Sequence, residues 1–116
     1  MEAINQIGIY QIENLVLQRV PFTLLDLTKD SNLIVPFEHL NPYYLNFLKA
    51  QILKTTPTEY KSTEKFRALP KDAPVVVICD SGNDSLKISH ELEAEGYINV
   101  FYVTGGFASL KTPSTH

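Results

Sequence analysis

The chain has 116 residues, of which 44% are hydrophobic and 20% are charged, and this composition predicts one hydrophobic core and a single domain spanning residues 1–116. Its net charge of −3 lacks the basic excess of proteins that bind nucleic acid or an anionic membrane surface, so both kinds of partner are disfavoured. The single cysteine excludes an internal disulfide and a multi-cysteine zinc site, and no apolar run reaches membrane-spanning length, so we expect a reducing, cytoplasmic location.

The first half of the chain predicts two strands and two helices. Isoleucines in residues 4–10 fit a short edge strand, and residues 12–19 repeat at the three- and four-residue spacing of a short helix. Phe22–Leu27 alternates too little for an exposed strand and is predicted to be a buried central strand. From Glu38 to Lys54 an apolar stripe predicts the longest helix, with Pro42 in its first turn.

The second half continues the alternation of strands and helices. Residues 55–72 are polar and predict a short helix between loops. Val75–Ile78 consists of four β-branched residues and predicts a strand that is buried on both faces. A helix with the Asp84-Ser85 pair as its N-cap then runs to Glu95, where a glycine ends it.

The end of the chain predicts one more buried strand, Val100–Val103. Gly105-Gly106 then permits a close turn into a short helix near Phe107, and residues 111–116 have the character of a frayed tail. Together the elements predict an α/β fold: a small, mainly parallel sheet of about four or five strands flanked by helices, with right-handed crossovers. Periodicity alone leaves a flavodoxin-like or thioredoxin-like arrangement open, although the absence of Cys-x-x-Cys excludes a thioredoxin activity.

Cys79 is the candidate nucleophile, because it follows the strand predicted over Val75–Ile78. Ligands of open parallel sheets bind at such strand ends, where the next loop and helix N-terminus present unpaired N–H groups. Asp80 to Ser85 form a segment long enough to curl its N–H groups around the sulfur and stabilise a thiolate, and Gly82 permits the positive φ of such a curl. Alternatively, Cys79 is simply a small buried apolar residue, and the local pattern leaves both interpretations open.

Three stretches resemble the rhodanese-like sulfurtransferases. Val75–Ser85 is similar to the active-site loop Cys-x-Ser-Gly-x-Arg-Ser, which follows a Val-rich strand in this family. Glu95–Phe107 resembles the family's glycine-aromatic turn, last strand and Gly-Gly signature. Phe22–Leu27 resembles the strand that ends in Asp-Val-Arg in family members.

The resemblance implies a rhodanese-like fold and a sulfurtransferase activity. Cys79 would carry a sulfane sulfur as a persulfide and pass it to a thiol or another nucleophile. The implied partners are a small-molecule or protein sulfur donor and a thiol acceptor, and no cofactor is implied. The implied substrate-binding loop consists of Asp80, Ser81, Gly82, Asn83, Asp84 and Ser85.

The chain departs from the family pattern at positions that carry charge. Asp84 stands in place of the loop arginine, Asp80 follows the cysteine, and Thr28 ends the stretch that resembles Asp-Val-Arg. The family's His-Ile-Pro-Gly-Ala segment is missing, and residues 31–36 resemble the short strand that follows it. Because the two aspartates oppose a thiolate and repel anionic donors such as thiosulfate, a second hypothesis is a catalytically degenerate rhodanese-like module for binding or regulation.

Two further kinds of site are disfavoured. Phosphatase or arsenate chemistry on a cysteine needs a loop that is one residue longer and ends in arginine, whereas positions 84–86 hold Asp, Ser and Leu. The three histidines, His39, His90 and His116, match no metal-ligand spacing, so no metal site is predicted.

Overall fold

The fold is built on a parallel β-sheet. A computed structural model describes residues 5–29, 32–80, 82–103 and 105–107, and these ranges contain five strands. The strands are β1 (Asn5–Ile7), β2 (Thr23–Asp26), β3 (Ile52–Lys54), β4 (Val75–Ile78) and β5 (Val100–Val103). They lie in the order β1-β5-β4-β2-β3, and all neighbouring pairs are parallel. The predicted α/β class with a mainly parallel sheet is therefore confirmed.

Helices flank the sheet. Within the described ranges they are α1 (Ile9–Leu17), α2 (Pro42–Gln51), α3 (Glu64–Arg67) and α4 (Asn83–Ala94), with short 3₁₀ turns at Val35–Phe37 and Tyr60–Ser62. α2 begins at Pro42 and not at the predicted Glu38, although this proline lies in the first turn as predicted, and the Asn41 side chain caps the helix by accepting the N–H of Tyr43 at 2.8 Å. None of these helices is long and apolar enough to cross a lipid bilayer.

The hydrophobic core lies on both faces of the sheet. Every residue of β2 and β4 is buried, which explains why β4 is a continuous apolar run and why β2 has apolar residues at the consecutive positions Leu24 and Leu25. On one face Val76 and Ile78 pack in a cluster with α1 and α2, and on the other Val75 and Val77 pack with α4. Each such side chain contributes about 1.5–3 kcal/mol by leaving water. The same two-residue alternation puts Cys79 in the cluster on the α4 face.

Strand β3 replaces the end of the helix that was predicted to reach Lys54, so that prediction is wrong at its C-terminal end. Helix α2 ends at Gln51, and Ile52 adopts an extended conformation with φ of −81° and ψ of 129°. β3 then pairs with β2 so that Asp26 lies opposite Lys54. The apolar pair Ile52-Leu53 fits a helical stripe and a short strand equally well, and pairing with β2, which local periodicity does not reveal, decides between them.

Two shorter predictions are also wrong. The strand expected within residues 31–36 is replaced by the 3₁₀ turn Val35–Phe37, because the Asn32 side chain accepts a backbone N–H two residues on at 3.0 Å and favours a turn. Ile9, expected on the first strand, begins α1 instead, because the Gln11 side chain accepts the N–H of the preceding glycine at 2.6 Å and caps the helix. Residue 4 and the final helix expected beyond residue 107 lie outside the described residues.

Candidate active site

The Cys79 thiol lies at the C-terminal end of the central strand β4. The residue is only 3% exposed, and its Sγ accepts the N–H of Gly82 at 3.0 Å and the N–H of Ser85 at 3.2 Å. Both donors belong to the start of α4, so the sulfur lies at the positive end of a helix dipole. These groups stabilise negative charge on the sulfur. Two backbone N–H groups of the loop and the helix start therefore donate to the Cys79 sulfur.

Gly82, and not the Asp84-Ser85 pair, is the N-cap of α4. Its φ of +98° lies in the left-handed region, which glycine adopts without strain. Ser85 is fully buried, and its hydroxyl donates to the Gly82 carbonyl at 3.1 Å while its own N–H donates to the sulfur. The serine thus joins the loop to the helix. Asp84, expected at the cap, is the second residue of α4 and is exposed.

The Gly105-Gly106 pair packs directly on the loop around Cys79. The N–H of Phe107 donates to the Cys79 carbonyl at 2.7 Å. A Cβ atom on Gly106 would lie 2.4 Å from that carbonyl oxygen and 2.6 Å from the Gly82 nitrogen. Because no side chain fits there, the Gly-Gly signature is a structural part of the thiol site.

A cavity of about 700 Å³ lies beside Cys79, a volume suited to a small organic molecule. It is placed where β2, β3 and β4 end, the edge at which parallel sheets bind ligands. The cavity is lined by Leu27, Thr28, Lys29, Lys54, Thr55, Thr56, Pro57, Glu59, Cys79, Asp80 and Asp84. Within the described ranges, no three His, Cys, Asp or Glu side chains are grouped so that they could hold a metal ion.

One part of the cavity wall is a hydrogen-bonded cluster around Lys54. The ammonium lies 3.6 Å from the Asp26 carboxylate and 3.1 Å from the Thr28 hydroxyl, and it also donates to the backbone carbonyls of Thr28 and Lys29. Asp26 in turn accepts the N–H of Thr28 at 2.9 Å and its hydroxyl at 2.6 Å. The Lys54 side chain is still 49% exposed and borders the cavity. The sequence did not identify Lys54 as a site residue, because the pattern predicted a helix up to this position. Predicting a strand over residues 52–54 would have placed Lys54 at the edge of the sheet where ligands bind.

Another part of the wall carries the carboxylates of the loop. Asp80 accepts the N–H of Lys29 at 3.2 Å, which fastens the loop after β4 to the end of β2. Asp84 reaches the same cavity from the first turn of α4. Asn83 is exposed at the first residue of α4, and Ser81 lies outside the described residues. The predicted site residues that border the cavity are therefore Cys79, Asp80 and Asp84, while Gly82 and Ser85 hold the sulfur.

Comparison with protein families bears on the part of the chain that forms this site. A family model described as a rhodanese-like domain matches residues 44–112, which is more than half of the chain. The matched range includes β3, β4 and β5 and the whole loop after Cys79. No curated protein sequence matches the chain.

Solved structures share the fold at low sequence identity. A rhodanese-like domain protein from Staphylococcus aureus matches with a TM-score of 0.64 and 19% identity, over 92% of this chain and 91% of that chain. The human single-domain sulfurtransferase TSTD1 matches with a TM-score of 0.63 and 15% identity, over 97% of this chain and 100% of that chain. An NAD-dependent persulfide reductase from A. fulgidus matches with a TM-score of 0.58 and 18% identity, over 90% of this chain and 15% of that chain. Identities this low establish the fold alone.

Proposed function

Because the chain belongs to the rhodanese-like domain family, we propose that it is a sulfurtransferase that carries a sulfane sulfur as a persulfide on Cys79. The supporting observation is the setting of the sulfur: Sγ accepts the N–H groups of Gly82 and Ser85 and borders a cavity of about 700 Å³. A cysteine that only fills space in a core needs neither the amide donors nor the cavity. We place the reaction in the cytoplasm, where a lone thiol stays reduced.

The proposed transfer has two steps that both use the Cys79 thiolate. It first attacks the outer sulfur of a donor R–S–SH, the donor's S–S bond breaks, R–S⁻ leaves with the bonding pair, and Cys79 becomes Cys–S–SH. An acceptor thiolate then attacks that outer sulfur and releases the Cys79 thiolate. The sulfane sulfur changes partner without net oxidation, so the transfer as written uses no cofactor. The N–H groups of Gly82 and Ser85 stabilise the negative charge on sulfur in both steps.

Mass spectrometry of the intact protein tests this proposal. Cys79 is the only cysteine, so a gain of one sulfur atom reports on this side chain. We expect a persulfide donor to add one sulfur to the parent protein, a thiol acceptor to remove it, and the variant Cys79→Ser to gain none. A folded parent protein that gains no sulfur from small-molecule or protein persulfides would contradict the proposal.

A rhodanese-like module for binding or regulation, without turnover, is the second candidate. It is favoured by the position of Asp80 and Asp84, which both line the cavity next to Cys79, and by the sequence of residues 79–85, which contains no lysine or arginine. Two carboxylates near the sulfur oppose the thiolate and the approach of an anionic donor. Such a module would bind its partner without covalent change at Cys79, so the same mass measurement separates the two functions.

A further inference from the structure

The wall of the cavity carries more carboxylates than free ammonium groups. Lys54 is paired with Asp26, whose buried carboxylate lies 3.6 Å from the ammonium, so the two charges largely cancel at a distance. Among the described residues that line the cavity, the charged groups that remain are one ammonium, that of Lys29, and the carboxylates of Glu59, Asp80 and Asp84. The wall is therefore negative once the Lys54 pair is set aside.

The three carboxylates reach the cavity from different elements. Glu59 follows β3, whereas Asp80 and Asp84 follow β4. Asp80 accepts the backbone N–H of Lys29 at 3.2 Å, a contact that holds the carboxylate in place and leaves it its charge. Like charges around a concave site focus their potential into it. An anionic donor is therefore repelled from the whole cavity, and a cation is attracted to it.

The Thr55 hydroxyl is a hydrogen-bonding group that the described part of the protein does not use. Thr55 is 9% exposed, and its backbone N–H donates to the Asp26 carbonyl at 3.0 Å, which fixes the residue after β3. No hydrogen bond of its side chain is formed within the described ranges, where no fully buried side-chain oxygen lacks a partner. The hydroxyl therefore opens into the cavity that Thr55 lines, where it can accept an N–H group of a ligand.

We propose that the sulfur donor is a cationic persulfide, an aliphatic R–S–SH whose organic part carries an ammonium group and no carboxylate. This inference rests on the proposed function and names its substrate class. The carboxylates of Glu59, Asp80 and Asp84 attract the ammonium, and the Thr55 hydroxyl accepts one of its N–H groups. A cation close to the inner sulfur also stabilises the thiolate that leaves.

The transfer follows the two-step scheme with this donor. The Cys79 thiolate attacks the outer sulfur of R–S–SH and forms a new S–S bond. The S–S bond of the donor breaks, and R–S⁻ leaves with the bonding pair. The products are Cys79 persulfide and an aminothiolate, so atoms and charge balance and no oxidant is used.

Three persulfides of similar size and different charge test the proposal. 2-Aminoethyl persulfide is cationic, 2-hydroxyethyl persulfide has an uncharged organic part, and 2-carboxyethyl persulfide carries a carboxylate; each is prepared in situ from its disulfide and sulfide. The measured quantity is the rate constant for addition of one sulfur to Cys79, divided by that of the same donor with the uncharged thiol N-acetylcysteinamide. We expect this ratio to rise roughly threefold for each step toward positive charge and the differences to shrink at high ionic strength.

Variants of the wall assign the preference to named side chains. Glu59→Gln and Asp84→Asn should each lower the ratio of the cationic to the anionic rate, and Lys29→Met should raise it. This ratio cancels any change in the thiolate fraction of the cysteine. Glu93→Gln, which removes an exposed carboxylate of α4 outside the cavity, is the matched control and should leave the ratio unchanged. Circular dichroism and thermal melts confirm that every variant is folded; an unchanged ratio in both carboxylate variants would overturn the assignment.

The Thr55 hydroxyl has a test of its own. Thr55→Val replaces it by a methyl group of similar size, so the rate with 2-aminoethyl persulfide should fall relative to the rate with ethyl persulfide, which has no hydrogen-bonding group. An unchanged ratio in the folded variant would remove Thr55 from the proposed site.

The possible outcomes separate this inference from the function on which it rests. Equal rates for the three donors, or a faster reaction with the anionic donor, would overturn the cationic donor and leave the sulfurtransferase proposal standing. If none of the donors transfers sulfur, that function fails, and the rates at which 2-aminoethyl, 2-hydroxyethyl and 2-sulfonatoethyl methanethiosulfonates modify Cys79 decide the present question. Fastest modification by the aminoethyl reagent would support a site for cations; equal rates, or no modification, would overturn it.

Discussion

At the scale of single residues, Asp84 acts on the helix and on the site in opposite directions. In the first turn of α4 its negative charge lies at the positive end of the helix, an interaction of about 0.3–1 kcal/mol in favour of folding. The same carboxylate lines the cavity beside Cys79 and opposes a thiolate or a bound anion there. Replacing it should therefore improve anion chemistry at a small cost in stability.

The substitution Asp84→Arg should raise thiosulfate:cyanide sulfurtransferase activity tenfold or more. It replaces a negative by a positive charge beside the sulfur and adds guanidinium donors, and about 1.4 kcal/mol of transition-state stabilisation gives a decade in rate. The measurement is kcat/KM of variant and parent, with Cys79→Ser as the blank. Glu93→Arg, an equal change of charge at an exposed position of α4, should leave the activity unchanged. A folded Asp84→Arg protein without a gain would show that the missing arginine does not limit this loop.

Gly106→Ala should disrupt the thiol site, because the new Cβ would lie 2.4 Å from the Cys79 carbonyl oxygen. Positive φ at a residue other than glycine costs about 1–2 kcal/mol, and overpacking typically adds about 1–3 kcal/mol. Gly96→Ala is the matched control, since Gly96 also has positive φ, +100°, but a Cβ there would meet nothing within 4 Å. Urea unfolding should show a larger loss for Gly106→Ala, accompanied by slower alkylation or persulfidation of Cys79. Equal losses in the two variants would mean that the glycine pair is needed for its backbone angles alone.

At the scale of elements, the segment between β3 and β4 serves both the cavity and the core. Its beginning lines the cavity, and its 3₁₀ turn is joined to α4, because the Tyr60 hydroxyl donates to Glu91 at 3.0 Å and Lys61 contacts Glu95 at 2.6 Å. Tyr60 is 1% exposed, and burial together with the hydrogen bond to Glu91 raises the pKa of its phenol well above the ordinary value. This segment therefore connects α4 to the wall of the cavity. Its role could not be predicted from the sequence.

The raised pKa of Tyr60 predicts that the protein loses stability at alkaline pH. Above the ordinary tyrosine pKa near 10, the unfolded chain loses the Tyr60 proton while the folded protein keeps it, so the stabilisation is complete below about pH 10 and declines as pH rises further. The decline for this one proton approaches about 1.4 kcal/mol per pH unit. Tyr60→Phe should be less stable at neutral pH but should lose stability less steeply above pH 10, as measured by urea unfolding from pH 8 to 11. Glu91→Gln should retain much of the steep decline, because burial is the larger cause; identical slopes for parent and Tyr60→Phe would refute the assignment.

The cap of α2 gives a prediction about stability alone. Asn41→Ala removes the acceptor of the Tyr43 N–H and should lower the free energy of unfolding by about 1 kcal/mol. Asn46→Ala is a control of opposite sign, because this exposed asparagine is inside the helix, where alanine is the better helix former. Thermal melts of the two variants should therefore move in opposite directions. A decrease in Tm for both would show that asparagine contributes at these positions by something other than the cap.

At the scale of the whole molecule, the strands that are buried on both faces of the sheet could be predicted from the sequence. β2 and β4 are covered on both faces, and the lack of polar–apolar alternation in Phe22–Leu27 and Val75–Ile78 predicts them within a residue of their observed bounds. The sequence did not predict β3, because an edge strand of three residues is stabilised by its pairing with β2 and not by its own hydrophobic pattern. Strand order itself follows from long-range pairing that no local window contains.

In the candidate site, the cysteine and its loop could be predicted from the sequence better than the charged side chains that line the cavity. Cys79 at a strand end and Gly82 in the loop could be named from local pattern, because backbone N–H groups of a loop that leads into a helix point at whatever ends the strand. Lys54 could not be named, because its place in the wall of the same cavity depends on two strand pairings, β3 with β2 and β2 with β4. The charge of the cavity is therefore a property of the tertiary fold.

The pairing of β1 with β5 also sets the order in which the protein can be completed during synthesis. Asn5 pairs with Phe101, so the first strand has no partner until the last one has left the ribosome. The Phe107 N–H and the Gly106 backbone, which close over the Cys79 loop, arrive later still. From the synthesis of Cys79 until residues 105–107 have been added, the nascent chain therefore carries a thiol that the Gly-Gly turn does not cover, so we expect Cys79 to be most vulnerable to oxidation in that interval.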